Sequence, residues 1–206
     1  MSRRVLRRTS YLALCAAALV SGCGTKDKKQ DSAKMADSIA AAAPAPAPAT
    51  PAPPAMTDAN ILFVLDADNV ADSTAGALAA SKGTSAAVKD YGKMMVKDHH
   101  ALRTEGMAVA KKDSITPAAP ASNPDEAAEK ALADSLNTMP KGADWDIFYI
   151  GHMVTGHEKV LRSAQDAANA AQNADVKGLI QKATPVVQKH LDKAKEIQTK
   201  LSTAKK

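Results

Sequence analysis

From Thr57 to Ser202 the apolar residues recur at every third or fourth position, and no run alternates as a half-buried strand would. The pattern divides into four long segments and one short one. The first helix is expected to start at Thr57-Asp58, both good caps, and to run to about Ser81, where Gly83 ends it. Thr84 or Ser85 then caps a second helix reaching about Lys112. Pro117 and Pro120 break the chain. Asn123-Pro124-Asp125-Glu126 reads as a cap, a proline at the first helical position and a Glu at the third, opening a short helix to about Asn137. Pro140 and Gly142 interrupt again. A third long helix covers Ala143 to Ala171, and a fourth runs from Val176 to Ser202 after a turn at Asn173 to Asp175. Pro185 removes one backbone donor inside the fourth and should kink it.

The expected fold class is therefore all-α: a ferritin-like four-helix bundle with a long crossover, holding a short extra helix, between the second and third long helices. Such a crossover would make those two helices parallel. An up-and-down order is the alternative.

The stripes carry chemistry. The fourth long helix presents Val176, Leu179, Ile180, Ala183, Val187, His190, Ala194, Ile197 and Leu201. The second presents Val88, Tyr91, Met95, His99 and Leu102, and the third Asp146, Tyr149, Ile150, Met153, His157, Val160 and Leu161. The first presents Ile61, Leu65, Asp68, Asp72, Ala75, Leu78 and Ala79. Each long helix thus places an ionisable group on an apolar face. Two of the stripes share the pattern Y-x-x-x-M-V-x-x-H, as YGKMMVKDH and YIGHMVTGH, in a chain with three tyrosines and five histidines. The other two histidines, His100 and His152, are expected at the surface or rim.

Buried polar groups cost about 1–3 kcal/mol each when unsatisfied, so these positions are expected to meet. Two readings follow. In one, His99, His157, His190 and Asp72 bind one Zn, Fe, Mn or Cu ion. Asp146, Tyr91, Tyr149, Met95, Met153 and Asn69 would then stand around the ligands, Asp146 beside His157. In the other, the same groups form a metal-free hydrogen-bond network that fixes helix packing.

The N-terminus adds an address. MSRRVLRR, a short apolar run from Tyr11 to Val20 and small residues make a secretory signal. Val20-Ser21-Gly22-Cys23 resembles the lipobox of bacterial lipoproteins, in which cleavage precedes the cysteine and lipid is attached to it. The expected parts are a signal peptide over 1–22, lipidated Cys23 with an Ala/Pro-rich tether over 23–56, and the bundle over 57–206. The Ala-Pro stretch at 43–55 would reach roughly 40 Å as polyproline II. Gly24, in place of Asp, points by the same resemblance to the outer membrane facing the periplasm; a Gram-positive cell surface is the alternative. Loss of Arg3, Arg4, Arg7 and Arg8 takes the net charge from +5 to +1, so the basic composition is no argument for nucleic-acid binding.

Taken together, ILFVLDADNVADSTAGALA, VKDYGKMMVKDH, DIFYIGHMVTGH and TPVVQKH resemble the bacterial ferritin-like family catalogued as domain of unknown function 4142. The resemblance covers roughly residues 58 to 201. It implies a ferritin-like bundle and no established activity. Asp72 stands where such sequences usually carry Glu. Di-iron ferritins use Glu-x-x-His on two helices. Here the positions three before His99 and His190 are Val96 and Val187, so the bridging carboxylates are missing. No nucleophile arrangement, phosphate loop or catalytic carboxylate pair stands out. The expected function is a non-catalytic, membrane-anchored lipoprotein with a metal-binding bundle. A structural or interaction module is the alternative, and a metal-dependent oxidoreductase is a third reading. Protein partners and oligomeric state are left open.

Overall fold

Thr57 opens the described fold with a capping box: its hydroxyl accepts from the Asn60 N–H while the Asn60 side chain accepts from the Thr57 N–H. The computed structural model describes residues 56–122 and 126–204. The expected signal peptide, Cys23, the expected tether up to residue 55 and the expected Asn123-Pro124-Asp125 cap lie outside the described residues. The elements are α1 (Asp58–Lys82), α2 (Ala86–Lys112), α3 (Glu126–Thr138), α4 (Ala143–Ala170) and α5 (Ala174–Ala204), an all-α bundle with no strand among the described residues. α5 continues through Pro185. No helix of the described residues is long and apolar enough to cross a membrane.

The topology follows from which residues meet. α1 and α2 form one tight hairpin, α4 and α5 the other. Tyr91 meets Tyr149 and His99 meets His157, with ring centroids 6.1 and 5.9 Å apart. Equal offsets on both helices mean that α2 and α4 run parallel. α5 runs antiparallel to α2, since Asp175 pairs with Lys112, Lys182 with Glu105 and Lys189 with Asp98. The crossover through α3 therefore traverses the bundle, as the ferritin-like connectivity requires.

Each hairpin is tied to the other by a carboxylate. Asp146, in the first turn of α4, accepts from the backbone N–H groups of Thr84 and Ser85 and from the Thr84 hydroxyl. Ser85, expected to cap α2 itself, makes no side-chain cap bond; Asp146 supplies the acceptor from another helix. At the opposite end Asp58, in the first turn of α1, accepts from the Gln172 and Asn173 N–H groups of the α4–α5 turn. Asn173 in turn caps α5 through Asp175 and Val176.

α1 is rotated from its expected face. Its buried side is Ile61, Leu62, Asn69, Ser73, Ala75, Gly76 and Ala79, while Leu65, Asp68, Asp72 and Leu78 are only half-buried. The cause is the crossing with α2. A Cβ on Gly92 would lie 2.5 Å from the Gly76 carbonyl oxygen, and one on Gly76 would lie 2.8 Å from the Gly92 carbonyl oxygen. These backbones touch only because both residues lack side chains.

At the end where α2 and α4 begin, Trp145 is fully buried, stacks on Tyr149 and donates its indole N–H to the Leu136 carbonyl. Lys82 donates to the same carbonyl and to that of Asn137. Together they dock the C-terminal end of α3, whose Leu132 and Leu136, with Met139 just beyond the helix, pack on the core.

The glycine crossing yields a paired prediction. Gly92→Ala must push two backbones apart and should cost on the order of 1–3 kcal/mol. Gly178→Ala, where an added Cβ meets nothing within 4 Å, should leave stability unchanged or raise it by up to about 1 kcal/mol through helix propensity. Urea unfolding monitored by circular dichroism measures both.

Candidate metal centre

Three histidines converge near the middle of the bundle. His99 from α2, His157 from α4 and His190 from α5 are all buried, and one ring nitrogen of each lies within 4.8 Å of the others. His190 sits 5.0 Å from His99 and 5.5 Å from His157, centroid to centroid. Parallel α2 and α4 bring the two Y-x-x-x-M-V-x-x-H stripes level, and α5 closes the third side.

Each ring is held from behind. His99 Nδ1 lies 2.8 Å from Asn69 Oδ1, and the Asn69 amide donates to the Leu65 carbonyl, which fixes its orientation. His157 Nδ1 lies 2.9 Å from the Met153 carbonyl oxygen. His190 Nε2 lies 3.0 Å from Asp98 Oδ2. All three outer partners are acceptors, so each outer nitrogen carries the N–H and donates it. The remaining nitrogens, His99 Nε2, His157 Nε2 and His190 Nδ1, are buried lone pairs without a hydrogen-bond partner. Ligating histidines are characteristically held this way, with the second nitrogen bonded to a carbonyl or carboxylate.

The electrostatics keep the rings neutral. Burial, then the mutual proximity of the rings, pushes His99 down to about 3. Burial and His190 push His157 down to about 4. Burial also lowers His190, against the opposing pull of Asp98. Burial works to raise the Asp98 carboxyl, but hydrogen bonding and charge from His190 and Lys189 outweigh it and hold it below its ordinary value. Neutral imidazole is the form that binds metal.

Asp72 does not join the cluster as expected. Its Oδ2 is 3.6 Å from His99 Nε2, too long for a hydrogen bond, and it lies outside the mutually close group. The rotation of α1 explains this: Asn69 takes the inward position and Asp72 the edge. Burial, then Asp68 and Glu129, raise the Asp72 carboxyl to about 8. Asn69, by contrast, holds His99 directly. Asp146 is a correction. It caps α2 at Thr84 and Ser85, 11 residues and so roughly 16 Å along the helix from His157.

Met95 and Met153 lie in the hydrophobic core, fully covered. Tyr91 and Tyr149 are buried edge to face, their hydroxyls without a partner. Burial raises both phenols; the charge of Asp72 adds to this for Tyr91, and Tyr91 and then Asp72 add to it for Tyr149. His100 is exposed and His152 half-buried. The pattern reading missed Asp98, although it falls three residues after Met95 and seven after Tyr91 on the same helical face. It also missed the buried Trp145.

A family described as a domain of unknown function (DUF4142) matches residues 43–197. The chain belongs to the DUF4142 family. No curated protein and no solved structure matches it. The DUF4142 match spans all three histidines with Asn69, Asp72 and Asp98. It carries no assigned activity, so the chemistry of this DUF4142 member rests on the cluster's own geometry.

That geometry sets a pH dependence. His99 and His157, lowered in the fold, refuse protons that the unfolded chain takes up below about 6.5. Their contribution is complete above 6.5 and is lost as pH falls towards 4. Asp72, raised in the fold, acts oppositely: its contribution is present below the ordinary carboxylate value near 3.8 and is lost as pH rises through 8. Two or three histidines outweigh one carboxyl between pH 4 and 6.5, and Asp72 alone acts between 6.5 and 8. The metal-free chain should be most stable near pH 6.5. It should lose about 1–2 kcal/mol by pH 5, where Asp72 offsets part of the histidine loss, and a similar amount by pH 8. Urea midpoints in chelator at the three pH values measure this.

Proposed function

We propose that this DUF4142 protein binds one transition-metal ion through His99 Nε2, His157 Nε2 and His190 Nδ1. One observation carries the reading: three buried imidazoles each spend their N–H on a fixed outer acceptor and turn a lone pair inward. Hydrogen bonding alone closes such a site poorly. A water molecule has two hydrogens and leaves one of three lone pairs unmet, at about 1–3 kcal/mol. A cation takes all three. Drawing the nitrogens to the ~2.0–2.1 Å typical of a metal–imidazole bond asks for small side-chain rotations from their present spacing. A neutral three-imidazole set suits Zn, Cu or Fe, with Mn a harder partner for nitrogen. The remaining coordination position falls to Asp72 or to a solvent oxygen.

The surrounding role is that of a non-catalytic envelope protein, anchored through lipid on Cys23 and held off the outer membrane by its Ala/Pro tether. The lipobox-like VSGC and the basic, apolar start of the chain support this address. Metal buffering, sensing or metal-dependent stability all suit a buried site with three fixed ligands. Labelling with radioactive palmitate in a bacterial host checks the anchor, which Cys23→Ser should abolish.

Metal titration tests the site. Purified chain stripped with chelator should take up about one equivalent of Zn(II) or Co(II), the latter with visible d–d absorption. Its stability should rise by about 4 kcal/mol at a free metal concentration 1,000 times the Kd. His99→Ala, His157→Ala and His190→Ala should each abolish tight uptake, and Asn69→Ala and Asp98→Asn should weaken it roughly 10–100-fold. A chain that none of Zn, Co, Cu, Mn or Fe(II) stabilises would sink the proposal.

A further inference from the structure

The histidine cluster has two carboxylate edges of opposite electrostatic character. On the α2–α5 side Asp98 is bonded to His190 Nε2, and Lys189 stands 3.6 Å from the same carboxylate oxygen. An ammonium group occupies that approach. On the α1 side Asp72 is 23% exposed, and its Oδ2 lies beside an inward lone pair, 3.6 Å from His99 Nε2. α1 packs most extensively on α2, and at its N-terminal end Ile61 and Leu62 share a core with Val176, Leu179 and Ile180 of α5. Asp72 therefore stands at a partly open edge of α1, beside the cluster.

That edge is acidic. Asp68 lies one turn before Asp72 on the same face of α1. Glu129 is half-buried and heads the inward stripe of α3 that continues as Leu132 and Leu136. The charges of both Asp68 and Glu129 are felt at Asp72. The Tyr91 and Tyr149 hydroxyls are buried and unpartnered in the same core. Asp72 thus joins a partly exposed acidic edge to a buried unpaired nitrogen.

We propose that divalent cations reach the histidine cluster through this α1–α3 seam, drawn in by Glu129 and Asp68 and passed by Asp72 to His99 Nε2. The inference rests on the metal-binding reading and adds its route. Acidic oxygens lower the cost of shedding a cation's water in steps, and field focusing by like charges raises its local concentration. Lys189 makes the opposite edge repulsive to the same ions. Glu129 and Asp68 act as steering groups, and Asp72 as a transfer ligand that releases its proton to solvent as the cation arrives.

Stopped-flow uptake of Co(II) by the purified, metal-free full chain tests the route. Wild type is compared with Asp72→Asn, Glu129→Gln and Lys189→Gln at low and high salt. Asp72→Asn should slow uptake about tenfold, and Glu129→Gln several-fold with the equilibrium affinity within about twofold of wild type. Added salt should narrow the Glu129→Gln difference, because steering is screened. Lys189→Gln should load at the wild-type rate. Wild-type rates in both acidic variants, or faster loading in Lys189→Gln, would overturn the route while leaving the site intact. Failure of the wild-type chain to take up Co(II) would overturn the site and the route together.

Discussion

The bundle turns on one contact, the backbone-to-backbone crossing of α1 and α2 at Gly76 and Gly92. Neither glycine adopts a conformation reserved for glycine; what matters is the missing Cβ on each. The crossing brings α1 onto α2 at a single rotation about its axis. That rotation sends Asn69 inward to His99 and leaves Asp72 at the rim. Had α1 packed on the face that Leu65, Asp68 and Leu78 suggest, a carboxylate would stand where the carboxamide now does. His99 would then donate to a charge, and the inward lone pair would be more basic. The choice between amide and carboxylate behind His99 is thus set seven residues away.

The second constraint is reciprocal. Asp146 on α4 closes the α1–α2 turn, and Asp58 on α1 closes the α4–α5 turn. Each hairpin supplies the acceptor that the other hairpin's turn needs. Exposed charge pairs such as Arg103–Asp66 and Lys182–Glu105 contribute little by comparison, since solvent screens them. The caps act at turns whose N–H groups would otherwise lack acceptors, so they set how the hairpins slide relative to each other. The level pairing of Tyr91 with Tyr149 and His99 with His157 depends on that register. A half-turn slip would separate the rings that the repeated motif brings together.

Much of this was legible in the sequence. The helix limits fall within about two residues of those expected, because Gly, Pro and capping residues act locally. The three histidines were readable because each lies on an otherwise apolar stripe. What escaped was information carried between helices. Asp98 looks like one more surface acid in VKDHH until His190, 92 residues on, is placed beside it. Asp146 has the spacing of a core residue, and it is buried, but its work lies at the far end of the helix. The rotation of α1 was hidden because glycine is silent in a hydrophobic pattern: Gly76 is neither apolar nor polar, yet it decides which residues are inside.

The polar centre is costly in a way that bears on what it is for. Its three histidines are held neutral by burial, Asp72 by burial and by its acidic neighbours, and two tyrosine hydroxyls lie unpartnered in the same core. Leucines at these positions would fill the space without leaving an unmet donor or acceptor, and other layers of the same core do so with Val88, Ile150 and Ile197. A network that served only to fix packing would gain from closing on itself, as Asp146 does with Thr84 and Ser85. Here every outward bond is closed and every inward one is open. That asymmetry, three unpartnered ring nitrogens gathered in one buried layer, is what the proposed metal site rests on.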